Sequence, residues 1–351
     1  MPLPPLYGHE GIRNRLAGAV ASGRLPQTLL FEGPPGVGKQ RLALWLAQAL
    51  LCDRRGSDGL PCGDCPPCKL VTRLSHPDLH WFVPLELAFK SGDADKQVEQ
   101  AEEGLGEELA ARRARPLYEP PAGLASHGIA SIRLLLRRLR LMPAMGGFRV
   151  LIIGHAERLV PQPGADAAAN ALLKALEEPT QRTVFVLTSA DAGALLPTIR
   201  SRVVRVRITR LSDSVVTAFA QHELTSPPTG AGLARAVTAA QGSIGRLLAL
   251  LGDSVRIPRD GAAALLDALR GPLPGRYALA LRQPPFQARG AFTVMLDGLL
   301  EWLGAQARDG RETRALVRAM GQVMNARELA QGNVNPQLLT AVLAADLAES
   351  P

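Results

Sequence analysis

Two kinds of hydrophobic pattern divide this chain near residue 210. Before it, short unbroken apolar runs recur between turn residues: Thr28-Leu29-Leu30-Phe31, Arg149-Val150-Leu151-Ile152-Ile153, Thr183-Val184-Phe185-Val186-Leu187-Thr188-Ser189 and Val203-Val204-Arg205-Val206-Arg207-Ile208. Runs of this kind mark strands covered on both faces, as in parallel sheets. A turn at His76-Pro77-Asp78 leads into another short strand ending near Val83. Between the runs the spacing becomes helical. Ile12, Leu16, Ala19 and Val20 share one face within 6–24, and Arg41–Ala47 continues the pattern. Ile132, Leu135, Leu136 and Leu139 form a stripe over Ile129–Leu141. Ala168, Leu172, Leu173 and Leu176 do so over Asp166–Glu178, which Pro179 ends. Strands alternating with helices predict a doubly wound α/β sheet, with any ligand site at the carboxyl ends of its strands.

Beyond 210 the chain is alanine- and leucine-rich with helical periodicity. A helical group is predicted over 211–252, its last helix opening at Gly242-Ser243-Ile244-Gly245-Arg246. Pro258, Pro272, Pro274, Pro284 and Pro285 punctuate the next stretch, and amphipathic helices are predicted over 289–308, 311–330 and 336–349. Residues 86–125 lose periodicity and gather Glu99, Glu102, Glu103, Glu107 and Glu108. That segment is predicted as an insertion or mobile loop with at most a short helix.

At 351 residues the chain exceeds what one core serves. No apolar run approaches the roughly 20 residues of a membrane span. The opening Met1-Pro2-Leu3-Pro4-Pro5 lacks the pattern of a signal peptide, so a cytoplasmic protein without membrane contact is expected. Net charge is +8, carried almost entirely by arginine. This basic balance fits a polyanion partner or an arginine-rich solvated surface. Arg133, Arg137, Arg138 and Arg140 on the 129–141 helix pose the same choice between a solvated face and a phosphate-contacting patch.

Chemistry concentrates at Gly33-Pro34-Pro35-Gly36-Val37-Gly38-Lys39-Gln40, lying between a predicted strand and a predicted helix. That context makes a G-x-x-x-x-G-K run a phosphate cradle, with backbone N–H groups and a helix N-terminus facing the anion. Lys39 would reach the β/γ-phosphates. The next residue should be Ser or Thr, whose hydroxyl ligates Mg²⁺, but it is Gln40. The strand ending at Ile153 should continue into an acidic pair, but Gly154-His155-Ala156-Glu157 follows. Glu157, three residues on, is expected to face away. Two losses in the hydrolytic apparatus leave nucleotide binding as the expected activity, with ATP or ADP as ligand and the Mg²⁺ ligands missing.

All four cysteines cluster as Cys52-x₉-Cys62-x₂-Cys65-x₂-Cys68. The spacing predicts a closed structural Zn²⁺ site, with unpaired structural thiols or a redox pair as the alternatives. His76 and His80 are expected to be surface or packing residues.

Together these motifs resemble the AAA+ clamp-loader subunits of bacterial DNA polymerase III. The resemblance rests on Leu30–Lys39, the four-cysteine module, His76-Pro77-Asp78-Leu79 and Ala168-Ala169-Asn170-Ala171-Leu172-Leu173-Lys174-Ala175-Leu176-Glu177-Glu178-Pro179. It extends to Leu196-Pro197-Thr198-Ile199-Arg200-Ser201-Arg202 and Asn333-Val334-Asn335-Pro336-Gln337-Leu338. It covers nearly the whole chain except 86–125. The resemblance implies an α/β P-loop AAA+ domain over 1–209 with an inserted four-Cys zinc module at 52–68. A helical lid over 210–255 and an all-α collar over 256–351 would follow. It implies a hetero-pentameric ring with tau/gamma and delta subunits, and a sliding clamp and primer-template DNA as further partners. That ring belongs to a holoenzyme whose chemistry is nucleotidyl transfer, in the cytoplasm at the nucleoid. Gln40 and Gly154 set this chain beside the non-motor, delta-prime branch, since the tau/gamma motor would carry Thr or Ser and an Asp-Glu pair there. Arg202, in Ser201-Arg202-Val203, matches an arginine that reaches a neighbour's ATP. Ser189 falls in the sensor-1 region, and Arg246 resembles the sensor-2 arginine displaced by one residue. The rival readings are a working motor ATPase in which Glu157 substitutes, and a zinc-stabilised nucleic-acid binder with a vestigial P-loop.

Overall fold

The computed structural model describes residues 3–86, 92–115, 117, 125–145, 147–160, 166–225, 227–251, 265, 267, 273–283, 291–308, 314–330 and 334–348. The chain folds as two compact units, the first ending at Leu250 and the second beginning at Leu251. The expected boundary at 255/256, Pro258, Pro272, Pro284, Pro285 and Asn333, and the first residues of the helices predicted from 289 and 311 lie outside the described residues.

The first unit is built on a five-stranded sheet of parallel strands: β1 (Thr28–Glu32), β2 (Leu79–Phe82), β3 (Arg149–Ile153), β4 (Thr183–Ser189) and β5 (Val204–Arg207). Their order is β2-β3-β4-β1-β5. Leu29 pairs with Val186 and Val204, and Ile152 pairs with Val186 and Trp81, so the apolar runs are in register through the sheet centre. β3 and β4 are buried at every residue, which explains their unbroken apolar sequence. Helices α1 (Glu10–Ala21), α2 (Lys39–Leu51), α3 (Pro66–Thr72), α4 (Ala94–Ala114), α5 (Ile129–Leu139), α6 (Ala167–Glu177) and the short α7 (Pro197–Arg200) flank the sheet. This is a parallel α/β sheet flanked by helices, as the resemblance implies.

The 86–125 expectation is corrected by α4. In place of a mobile loop with a short helix, 94–114 forms a 21-residue helix. Asp93 caps it by accepting from the Asp95 N–H at 2.9 Å. Val98, Ala101 and Leu105 are buried at helical spacing, and the helix packs on α5. Arg138 of α5 reaches Glu102 at 3.0 Å, and the Arg112 guanidinium lies 4.8 Å from the Trp81 ring centroid. Three core positions diluted among glutamates hid the stripe in the sequence.

After β5, α8 (Asp213–Glu223), α9 (Gly230–Ala240) and α10 (Ile244–Leu251) gather Leu211, Val216, Phe219, Val237 and Leu247 into a small apolar cluster of their own. The second unit holds α11 (Leu273–Leu281), α12 (Ala291–Arg308), α13 (Arg314–Leu329) and α14 (Pro336–Ala348). Its core includes Phe292, Leu296, Leu299, Val323, Leu339 and Leu343. Among the described residues no helix is long and apolar enough to cross a membrane.

Candidate functional site

The P-loop joins the carboxyl end of β1 to α2. Gly33, Gly36 and Gly38 all adopt positive φ (157°, 72° and 99°). At Gly36 the requirement is absolute, because a Cβ would stand 2.4 Å from Ser243 Oγ and 2.8 Å from Gly245 Cα. The amino end of α10 therefore sits directly on the loop. Gly245 donates its N–H to Gly36 O at 2.9 Å, and Ser243 Oγ donates to Pro35 O at 2.9 Å. His9 Nε2 stands 2.7 Å from Val37 O on the other side.

A cavity opens beside this loop. The structure brings Pro35, Gly36, Val37, Gly38, Lys39 and Gln40 together along it. Its apolar wall comes from Leu6, Tyr7, Phe219, Ile244 and Leu248, with the Tyr7 and Phe219 rings edge-to-face at 5.3 Å. Tyr7 Oη donates to Glu223 at 2.6 Å. An apolar wall beside a cluster of N–H groups suits a heteroaromatic base attached to phosphates. The sequence reading missed this wall because its members come from an N-terminal segment, α8 and α10, and carry no motif.

Lys39 is buried and folds back, donating from Nζ to Gly33 O and Pro34 O, each at 2.7 Å. Burial pushes its ammonium down to about 8, against the opposing pull of Glu157. Arg41, which also lines the cavity, is pushed down by burial to about 10, opposed by Glu223.

The expectation that Glu157 faces away is corrected. His155 adopts the left-handed conformation (φ 54°), and the 3₁₀ turn Ala156–Leu159 swings Glu157 inward. Its Oε1 lies 3.4 Å from His155 Nδ1. Burial would raise its carboxyl, but hydrogen bonds from His155 and Ser189 and the His155 charge outweigh this and hold it low. Ser189 is wholly buried: its Oγ accepts from the Asp191 N–H at 3.0 Å, and its carbonyl accepts from Gly33 at 3.2 Å. Its neighbour Thr188 lines the cavity and accepts from the His155 N–H at 3.2 Å. Arg246 stands in the first turn of α10, and its guanidinium donates to Gln241 Oε1 at 3.2 Å instead of lining the cavity.

The residues present do not fit a magnesium ion. Mg²⁺ requires oxygen ligands at about 2.0–2.1 Å in octahedral order. No carboxylate lines the cavity among the described residues, and a glycine stands at 154.

The cysteine cluster does fit a metal. The four sulfurs lie within 4.8 Å of one another, with Cys52 and Cys62 at 3.5 Å and Cys52 and Cys65 at 3.8 Å. Tetrahedral bonds of about 2.3 Å to zinc place sulfurs about 3.8 Å apart. Cys52, Cys65 and Cys68 are buried and Cys62 is exposed. The Cys65 N–H donates to Cys62 Sγ at 3.3 Å, and backbone donors bring the Cys62 thiol down to about 6, favouring the thiolate a metal needs. His76 and His80 take no part in this cluster. His76 is buried, its Nδ1 accepting from the Asp78 N–H at 3.1 Å.

Arg202 lies elsewhere. Its carbonyl accepts from Thr28 Oγ1 at 2.8 Å, at the amino end of β1. Five residue steps separate Thr28 from Gly33, about 16 Å along an extended strand. The guanidinium pairs with Glu177 at the end of α6, with Nε to Oε1 at 2.6 Å, and also donates to Thr198 O at 2.8 Å.

The family model described as "DNA polymerase III, delta subunit" matches residues 8–212, more than half of the chain. The chain is 32% identical to DNA polymerase III subunit delta' of Yersinia pestis over 54% of its own length and 43% of that protein. It is 26% identical to the Escherichia coli subunit delta' over 90% of this chain and 82% of that protein. It is also 26% identical to subunit tau/gamma of Haemophilus influenzae, over 81% of this chain and 36% of that protein. The chain thus spans less than half the length of two of these three relatives. A gamma-subunit-related protein of Thermotoga maritima superposes with a TM-score of 0.45 at 14% identity, over 97% of this chain and 98% of that one. With more than half of its length matched by one family model, the chain belongs to the DNA polymerase III delta-subunit family.

Proposed function

We propose that this chain is a non-motor, delta-prime-like subunit of a DNA polymerase III clamp loader. It would assemble with tau/gamma and delta subunits into a ring that loads the sliding clamp on primer-template DNA. In that ring it holds ATP or ADP at Gly33–Gln40 without hydrolysing it and presents Arg202 to a neighbour's nucleotide. Cys52, Cys62, Cys65 and Cys68 hold a structural zinc that pins the segment between α2 and β2.

One observation carries the reading: Arg202 and the P-loop stand at opposite ends of β1, about 16 Å apart at a strand rise of ~3.3 Å per residue. An arginine side chain spans less than half of that, so Arg202 cannot reach a phosphate held in this chain's own P-loop, and its role would be toward a neighbour's. A guanidinium there would stabilise charge spreading over the γ-phosphate oxygens in the transition state. Its own pocket has no carboxylate in its lining among the described residues, and Gln40 stands where a Mg²⁺-ligating Ser or Thr would follow Lys39.

ATP hydrolysis by the purified chain is the test. The expected result is nucleotide binding with no turnover above background. Turnover at an ordinary ATPase rate would transfer the assignment to a motor in which Glu157 substitutes. That rival has one observation in its favour, the inward-turned Glu157 beside Lys39.

A further inference from the structure

Gln40 and Gly154 are two departures in sequence but a single feature in space. A Cβ built on Gly154 would stand 2.9 Å from Gln40 Oε1, 3.0 Å from its Cδ and 3.2 Å from its Nε2. The Gln40 amide therefore lies flat over the Gly154 α-carbon, where a side chain at 154 would begin. Its Oε1 is buried without a hydrogen-bond partner. An orphaned buried amide oxygen carries an uncompensated desolvation cost.

Charge in the cavity points the same way. Lys39 and Arg41 line it, and no carboxylate does among the described residues. Glu157 and Glu223, the acids that act on Lys39 and Arg41, bond to His155 and Tyr7 and stand outside the cavity lining, although Glu157 Oε2 is itself buried without a partner. A polyphosphate there would meet cations and backbone N–H groups, with no carboxylate on the cavity wall to share a metal ion.

We infer that Gln40 and Gly154 form an interlocked pair that fills the cation position, so that the P-loop takes a nucleoside di- or triphosphate as its metal-free anion. This rests on the cavity being a nucleotide site. Neither substitution alone would supply both cation ligands. An aspartate at 154 would collide with the Gln40 amide, and a threonine at 40 would face a glycine that supplies no second ligand.

The experiment is calorimetric titration of the full-length chain with ADP and with ATP, in EDTA and in excess Mg²⁺ at matched ionic strength. Wild-type Kd is expected to be the same in both, within about threefold, or weaker in Mg²⁺ as the metal competes for the phosphates. In Gln40→Thr/Gly154→Asp, Mg²⁺ is expected to tighten ATP binding by about tenfold or more. Tightening of that size in the wild type would overturn the pair's role while leaving the nucleotide site intact. Absence of binding in both buffers would overturn the site itself, and the inference with it. A second measurement does not depend on nucleotide. Gly154→Ala is expected to lower Tm in the wild-type background and to lower it less in Gln40→Ala, where the amide is gone. Equal losses in the two backgrounds would refute the interlock.

Discussion

Replacing Arg202 with alanine separates a structural arginine from one that works on a neighbour, because the two roles differ greatly in size. Within this chain the guanidinium pairs with Glu177, and the two side chains are 30% and 44% exposed. An ion pair this wet contributes about 0.2–1 kcal/mol. The hydrogen bond to Thr198 O, also near solvent, adds about 1 kcal/mol. Arg202→Ala should therefore cost about 1–2 kcal/mol of stability, a Tm shift of roughly 2–8 °C for a unit of this size. A trans-acting arginine is worth about 10³-fold or more in turnover, above 4 kcal/mol of barrier. The assay is ATP turnover by the ring reconstituted with its motor subunits, beside a thermal melt of the isolated variant. The expected outcome is a ring that assembles, a chain that melts nearly as wild type, and turnover reduced by about three orders of magnitude. Glu177→Ala is the control, since it breaks the same pair and keeps the guanidinium. Its turnover should stay within a fewfold of wild type. If Arg202→Ala rings assemble and turn over normally, the trans role is wrong. A collapse of the melt by more than about 15 °C would show that the exposed-pair reasoning underestimated a structural arginine.

Three further outcomes follow from the same structure. Metal analysis should find about one zinc per chain, lost in Cys65→Ser together with a lower melting temperature, because a closed four-thiolate site contributes directly to folding; a fully folded, metal-free wild type would contradict this. ADP affinity should be flat below pH 8 and fall as Lys39 deprotonates above it, approaching tenfold per pH unit. The nucleotide-free chain should move the other way and gain stability above pH 8, since the cost of a buried ammonium is fully present below its folded value and vanishes as the proton leaves; pH-independent binding between 7 and 9.5 would remove Lys39 from the phosphate contact. Leu105→Ala should cost about 2–5 kcal/mol in a denaturant titration, because Leu105 is 2% exposed where α4 meets the core; a loss under 0.5 kcal/mol would return 94–114 to the status of a loosely held insertion.

The strands, most helices, the phosphate loop and the cysteine module were legible in the residues because each depends on local sequence. A strand covered on both faces must read Val150-Leu151-Ile152-Ile153, and a phosphate loop must carry glycines where φ is positive. Four sulfurs that share one ion must be brought close by short turns. What remained hidden depended on distant partners. The α4 stripe needs only Val98, Ala101 and Leu105, and five glutamates around them masked its period. Glu157 turns inward because His155 takes a left-handed conformation, which histidine adopts more readily than most residues but too seldom to be read from the sequence. The apolar wall of the cavity joins Leu6 and Tyr7 to Phe219, Ile244 and Leu248, residues more than 200 positions apart that share no motif. Taken alone, the residues set which groups the chain carries: a glycine-rich loop ending at Lys39, four clustered cysteines, an arginine at 202, and Gly154 where an acid would follow β3. Only the tertiary structure decided where these act. Parallel pairing puts the P-loop at one end of β1 and Arg202 at the other, and it lays Gln40 over Gly154 from elements far apart in the chain. Distance and excluded volume belong to the packed sheet, and no linear pattern encodes them.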